Sequence, residues 1–414
     1  MHFVIIGNGV AGITAAMAIR ARDQAAAITV ISGESDYFFS RTALMYVFME
    51  RMQMRDLEPF ERGVYEQKRI RRMRGWVSDI DASTRRILLA DGVSVTYDKL
   101  LIATGSVPNA LPGVSGEGVV HFVSAQDLQK CIRLTPSTRQ AVVIGGGLIG
   151  IELVECLAHH RVDVTFLVRE KWYWPMALGE QEGQMVAAHI ERHGVKVVFD
   201  EELAEIRAHG RVEAVNTNRG RQLPCQMLGI AIGVRPAIDW LRSCTTPPAL
   251  GQGVLVGPDF RTSLDDVFSA GDCAEVAGVG VEQIWYSAKR QSELAARSML
   301  GDTVQYVPPL FFNSAKMFDL EYTTVGRVPV GGENFYYREP KREISIRIAA
   351  EDQQVTGFNM IGSRWDHRKL AEWIEQRRSP AEVMAMLHQA QFDEEFGRFD
   401  LEPARRQFTR EQQR

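Results

Sequence analysis

A chain of 414 residues exceeds one ordinary domain of roughly 100–200 residues and suits two or three. With 45% hydrophobic and 24% charged residues it has a globular composition, which argues against disorder and collagen-like repeats. Forty-eight Lys and Arg against 52 Asp and Glu leave a net charge of -4, so no global attraction to nucleic acid or to an anionic membrane is expected.

The opening MHFVIIGNGVAGITAAMAI resembles the apolar core of a signal peptide, but no basic segment precedes it. His2–Ile6 predicts a strand, Gly7-Asn8-Gly9-Val10-Ala11-Gly12 a glycine turn, the Ala-rich run to Arg20 a helix, and Ile28–Ile31 a second strand. Residues 75–109 alternate around Asp91-Gly92 and predict a hairpin or meander returning to a strand at Leu100–Ala103. The first plan then repeats 138 residues on: strand Ala141–Ile144, turn Gly145-Gly146-Gly147-Leu148-Ile149-Gly150, helix Ile151–His160, strand Asp163–Val168. Val195–Phe199 and Val212–Asn216 predict further strands, Gly229–Gly233 leads toward Arg235-Pro236, and Phe260–Val276 holds a short buried strand ending at Gly271-Asp272. From Phe311 the pattern becomes α+β: strands around Glu343–Ile348 and Val355–Ile361, then helices near Asp366–Gln376 and Pro380–Gln389, and a charged tail. No run of about 18 apolar residues occurs outside the opening segment, so no membrane span is expected.

One G-x-G-x-x-G is a weak signal, but strand, glycine turn, helix and strand in that order, twice, predict two dinucleotide sites. The first glycine permits the turn, the second lets backbone approach a pyrophosphate, the third allows close helix packing, and the helix N-terminus offers free N–H groups. An acid about 20 positions on should take a ribose hydroxyl. Glu34 lies 22 after Gly12.

In four ordered motifs the chain resembles the FAD/NAD(P)-dependent pyridine nucleotide-disulfide oxidoreductase superfamily, nearest its ferredoxin, rubredoxin and nitrite reductase branch. These are Gly7–Gly12; Tyr97–Ser106, containing Ala103-Thr104-Gly105; Gly145–Glu152; and Thr262–Asp272. The resemblance implies an α/β fold of two Rossmann-like domains plus a C-terminal α+β interface domain. It assigns 1–112 and 235–310 to FAD, 113–234 to NAD(P), 311–400 to the interface domain and 401–414 to the tail. By the same resemblance Gly271 and Asp272 would face the ribityl chain, and a helix beginning near Glu282 would aim its positive end at the flavin. Trp285 and Phe312 would lie against the flavin, and Gly233 joins the cofactor contacts. Arg41, in the run Glu34–Arg41, would meet FAD phosphate or adenine. Glu152 would orient the nicotinamide carboxamide as the catalytic-site carboxylate.

The choice between NAD and NADP stays open. Arg169, with Lys171 nearby, falls where a 2'-phosphate would be bound, whereas Glu170 stands 20 after Gly150 and suits a 2'-hydroxyl. The thiols exclude more. Cys131, Cys156, Cys225, Cys244 and Cys273 form no CxxC or CxxxxC, and Ser40–Met45 reads SRTALM where relatives carry a flavin-side sulfur. Glutathione-type, coenzyme A disulfide and peroxide-to-water chemistry are therefore disfavoured, and five scattered thiols fit a reducing cytoplasm.

Weaker signals take plainer readings. The basic run 68–74 could dock an acidic electron carrier, but a solvated strand edge explains it. His159-His160 and the i,i+4 pair His189/His193 have metal-like spacing, but no third ligand is evident in the sequence; solvated helix faces explain them, and no metal is expected. The expected function is transfer of hydride from NAD(P)H to FAD and of electrons onward to a small redox protein, ferredoxin- or rubredoxin-like, in a possible homodimer. A diaphorase or NADH oxidase, a nitrite reductase flavin component, and a redox sensor resembling apoptosis-inducing factor are the alternatives.

Overall fold

Phe3, Val4 and Ile5 are completely buried, as are Leu100, Leu101 and Ile102. Such unbroken apolar runs belong to parallel strands covered on both faces. In the computed structural model, which describes residues 1–329, 331, 334–392 and 399–413, they occupy the centre of a five-stranded sheet. Its order is Val267–Ser269, Lys99–Ile102, His2–Ile6, Ala27–Ser32, Ile70–Arg74, with Val4 opposite both Thr29 and Leu100.

This sheet belongs to a compact unit made of Met1–Pro112, Val120–Leu134 and Gly233–Pro308. Helix Val10–Arg22 crosses from the first strand to the second and packs on helix Trp285–Met299; Ala15 and Ala16 of the first and Ala295 and Ala296 of the second are completely buried. Arg20 is buried on that helix. Its guanidinium donates to the carbonyls of Asp23, Gln24, Ala26, Lys68 and Arg69 at 2.6–3.0 Å, satisfying a charge that would otherwise be costly to bury. The expected meander is present as antiparallel strands Val77–Asp81, Arg86–Leu89 and Ser94–Thr96, with Gly92 at φ +88° in the second connection.

The second unit comprises Gly113–Val119, Thr135–Ile232 and Pro309–Arg414. Four parallel strands neighbour one another in the order Lys196–Phe199, Asp163–Val168, Gln140–Ile144, Met227–Ile230. Helices Leu148–His159 and Glu180–Arg192 connect them. The C-terminal module is an antiparallel sheet ordered Phe312–Met317, Leu320–Gly326, Gln354–Ile361, Ser345–Glu351, Asn334–Arg338. Helix His367–Glu375 covers it, packing Trp373 on Phe358; its N-terminus is capped by Asp366. Ser379 and Glu382 form a capping box on helix Pro380–Met386.

Two boundaries differ from the sequence reading. Residues 120–134 join the first unit rather than the nucleotide-binding insertion. The segment 401–414, expected as a tail, contains helix Glu402–Gln412, which buries Ala404 and Phe408; Phe408 meets Phe335 edge to face. Two apolar residues four apart, on one face of a helix, anchor an otherwise charged segment.

Candidate functional site

The first glycine turn is built by three different constraints. Gly7 has φ +115°, and a Cβ there would lie 2.0 Å from the Ala103 carbonyl oxygen. A Cβ on Gly12 would lie 1.9 Å from the Gly7 oxygen, so both glycines are required by the fold itself. Gly9 is different: a Cβ would meet nothing within 4 Å. It is the N-cap of helix Val10–Arg22, with no side chain capping the N–H groups of Val10, Ala11 and Gly12. That leaves an open, donor-lined face suited to a pyrophosphate.

Other motif residues converge on this turn. Ala103 donates its N–H to Ile6, Thr104 Oγ1 donates to the Ala237 carbonyl at 3.0 Å, and Gly105, at φ +69°, faces open space. Gly271, at φ +81°, lies so close to Ala11 that a Cβ would come within 2.8 Å of that methyl group. Asp272 accepts from Ser106 Oγ at 2.7 Å; burial raises its carboxyl above the usual range, opposed by the Ser106 bond and the Arg41 charge. Helix Trp285–Met299 has Ile284 as N-cap, which offers no side-chain acceptor. Its Gln291 accepts from the Gly271 N–H at 2.9 Å, and Glu282 just before it is held by Ser287, Gln291 and Tyr306.

Glu34 and Arg41 form a bidentate pair at 2.6 and 2.9 Å, and Glu34 also accepts from the Ala125 N–H at 2.9 Å. Burial alone would raise the Glu34 carboxyl, yet Arg41 and this N–H hold it below its ordinary value. Arg41 and Glu34, expected to meet FAD phosphate or adenine and a ribose hydroxyl, therefore stand side by side as an ion pair. Sequence reasoning missed Trp76. Its indole is 65% exposed and packs on Gly33, where a Cβ would lie 2.1 Å from the ring, at the carboxyl end of the second strand. Only the missing side chain at Gly33 signals it. The basic run forms the edge strand Ile70–Arg74, in which Arg72 lies over the Tyr37 ring at 4.1 Å.

The second unit repeats the glycine logic. Gly145 has φ +108° and no room beside the Ala231 oxygen at 2.2 Å, Gly150 none beside the Gly145 oxygen at 2.1 Å, while Gly147 opens to free space. Leu148 and Ile149 begin the helix, one turn ahead of Glu152. Burial, then the charge of Glu155, pushes the Glu152 carboxyl up to about 7. The fully buried Tyr173 hydroxyl, without a hydrogen-bond partner among the described residues, also feels the Glu152 charge. Past the end of strand Asp163–Val168, Arg169 Nε donates to Glu170 at 2.9 Å and remains 72% exposed. The two competing cues for cofactor choice therefore pair with each other.

Two further expected residues have contacts within their own units. Gly233, at φ +92°, belongs to the first unit, where its carbonyl accepts from the Asn109 N–H at 3.0 Å. Phe312 opens the first strand of the C-terminal module and stacks on His367, with ring centroids 4.5 Å apart. Of the i,i+4 pair, His189 is buried at 4% exposure rather than on a solvated face, whereas His193 is 37% exposed.

Comparison with known proteins agrees with this architecture. The pyridine nucleotide-disulphide oxidoreductase family profile matches residues 1–297. The chain is 30% identical over 307 residues to the biphenyl dioxygenase system ferredoxin--NAD(+) reductase component of Paraburkholderia xenovorans, covering 72% of this chain and 75% of that protein. It is 23% identical over 377 residues to the NADH-rubredoxin oxidoreductase of Clostridium acetobutylicum, covering 91% and 95%. The fold matches that of the covalent putidaredoxin reductase-putidaredoxin complex with a TM-score of 0.84 at 18% identity, over 95% of this chain and 99% of that one. No helix among the described residues is long and apolar enough to cross a membrane. The chain belongs to the pyridine nucleotide-disulphide oxidoreductase family and is an oxidoreductase that works with FAD and NAD(P)H.

Proposed function

We propose that this protein carries electrons from NADH to a small iron–sulfur redox protein of the ferredoxin or rubredoxin kind. The observation that carries the reading is the presence of two open glycine cradles, at Gly9 and Gly147, together with a segment, Ser40–Met45, that has no cysteine where relatives carry a flavin-side thiol. Bound FAD would supply the exchange between the two-electron hydride of a nicotinamide and the one-electron steps of an iron–sulfur centre.

The residues divide the work. Gly9 and the N–H groups of Val10, Ala11 and Gly12 would hold the FAD pyrophosphate, and Asp272, positioned by Ser106, would bind ribityl hydroxyls. The uncapped start of helix Trp285–Met299 would favour negative charge beside it. Gly147, Leu148 and Ile149 would bind the nicotinamide dinucleotide, and Glu152, with its acidity near neutrality, would hydrogen-bond the carboxamide. The names of relatives that reduce ferredoxin and rubredoxin support this acceptor class.

The deciding experiment is anaerobic stopped-flow mixing of the holoenzyme with NADH, then with oxidised ferredoxin or rubredoxin. Rapid bleaching of the flavin followed by carrier-dependent reoxidation, faster than reoxidation by oxygen, is expected. Slow bleaching with a long-lived charge-transfer species would overturn the proposal in favour of a sensor; reoxidation by oxygen alone would make the protein an oxidase.

A further inference from the structure

We propose that His189, His193 and Asp319 form a binding site for one divalent transition-metal ion of the zinc class, tying helix Glu180–Arg192 to the first hairpin of the C-terminal module. The i,i+4 spacing puts both imidazoles on one helix face, and the fold adds the third ligand that linear spacing could not reveal. Asp319 sits in the turn between strands Phe312–Met317 and Leu320–Gly326. Its Oδ1 lies 2.6 Å from His189 Nε2 and 3.6 Å from His193 Nε2.

Both rings are oriented as metal ligands need to be. His189 Nδ1 lies 2.5 Å from the Glu343 carboxylate, which is itself paired with Arg192; Arg192 also comes within 3.3 Å of that ring nitrogen. His193 Nδ1 lies 3.0 Å from the His189 carbonyl oxygen. Without an ion, His189 Nε2 donates its N–H to Asp319; the acceptor at each Nδ1 would hold the ring proton there when a metal ion displaces the one on Nε2, the arrangement by which outer carboxylates and carbonyls prepare histidine ligands. The His193 ring is further held against Phe318, centroids 4.6 Å apart, and the Phe318 N–H is anchored on Glu155 at 3.1 Å.

The three atoms lie within 4.8 Å of one another. Two ligands on a tetrahedral zinc stand about 3.3 Å apart, given bonds of about 2.0–2.1 Å. The Asp319 carboxylate must therefore withdraw slightly from His189, which its 74% exposed side chain permits. With His193 37% exposed, one side of the cluster is open for water to complete the coordination.

The test uses the chelator-treated holoenzyme. Zinc titration followed by calorimetry is expected to show one ion per chain and a rise in Tm of a few degrees. Cobalt should give ligand-field bands to the red of the flavin absorption, typical of a four-coordinate nitrogen and oxygen site. His193→Ala and Asp319→Asn should each weaken zinc binding at least tenfold and abolish the Tm rise while keeping full FAD content. Glu343→Gln, acting through His189, should weaken binding by about 10–100-fold. No binding at tenfold excess zinc, or unchanged affinity in His193→Ala and Asp319→Asn, would show instead a purely hydrogen-bonded histidine–carboxylate cluster and overturn the proposal.

Discussion

At Glu152, burial and a neighbouring acid act in the same direction. The folded carboxyl titrates near 7, against about 4.3 in an unfolded chain, so the folded state prefers the protonated form. The stability contribution is complete below the unfolded value and is lost as pH rises through 7. Glu152→Gln removes that loss. The variant is expected to be more stable than the parent by about 3–4 kcal/mol at pH 8.5 and by only about 1 kcal/mol at pH 5, measured by denaturant unfolding at the two pH values. A gap that does not close at low pH would refute the assignment of a raised acidity. Arg169 and Glu170 make a second prediction. A 2'-phosphate placed beside Arg169 would also meet the Glu170 carboxylate, paired at 2.9 Å. NADH should therefore exceed NADPH in kcat/KM by at least tenfold, on the order of one like-charge contact. Glu170→Ala should narrow the ratio and Arg169→Ala should widen it; equal kcat/KM for the two donors in the parent would defeat this reading.

At the scale of the glycine turns, space separates the glycines that the fold requires from those that face a ligand. Gly9→Ala adds a methyl group where nothing lies within 4 Å, at an ordinary negative φ. It should leave apoprotein stability within about 1 kcal/mol while lowering FAD affinity at least tenfold. Gly12→Ala drives a Cβ to 1.9 Å from the Gly7 oxygen and should reduce the yield of folded protein whether or not FAD is present. Thermal unfolding with and without added FAD distinguishes the two. These turns were legible in the sequence because their logic is local: strand, turn and helix are contiguous. Contacts between distant segments were not legible. The engagement of Glu34 depends on Ala125, and Trp76 fills the space left by Gly33. The third partner of the histidine pair arrives from a hairpin 126 positions beyond His193. Helix Glu402–Gln412 was hidden for another reason: its few apolar residues are enough only because Phe335 is there to receive Phe408.

Across the whole molecule the thiols determine which chemistry is open. All five cysteines are buried and none forms a disulfide. Burial pushes the Cys131 thiol up to about 12 and those of Cys225 and Cys244 up to about 11. At pH 8 a thiol of pKa 11 is ionised in about one molecule in a thousand, and only the thiolate attacks an alkylating agent or a disulfide. Cys273 sits beside the candidate flavin site, but its sulfur lies 3.4 Å from the Ile102 carbonyl and 3.6 Å from that of Ala270, packed within the sheet. A family whose name includes disulfide reduction thus has here a member whose five cysteines are all buried. Iodoacetamide treatment of the native holoenzyme at pH 8 is expected to leave NADH-dependent carrier reduction at its untreated rate. Glutathione disulfide and coenzyme A disulfide should not be reduced, and reduction by NADH should produce no thiolate-to-flavin charge-transfer absorption. Loss of carrier reduction in step with alkylation of a single cysteine would show that one of these buried sulfurs reaches the flavin after all, and would return the protein to the thiol-dependent branch.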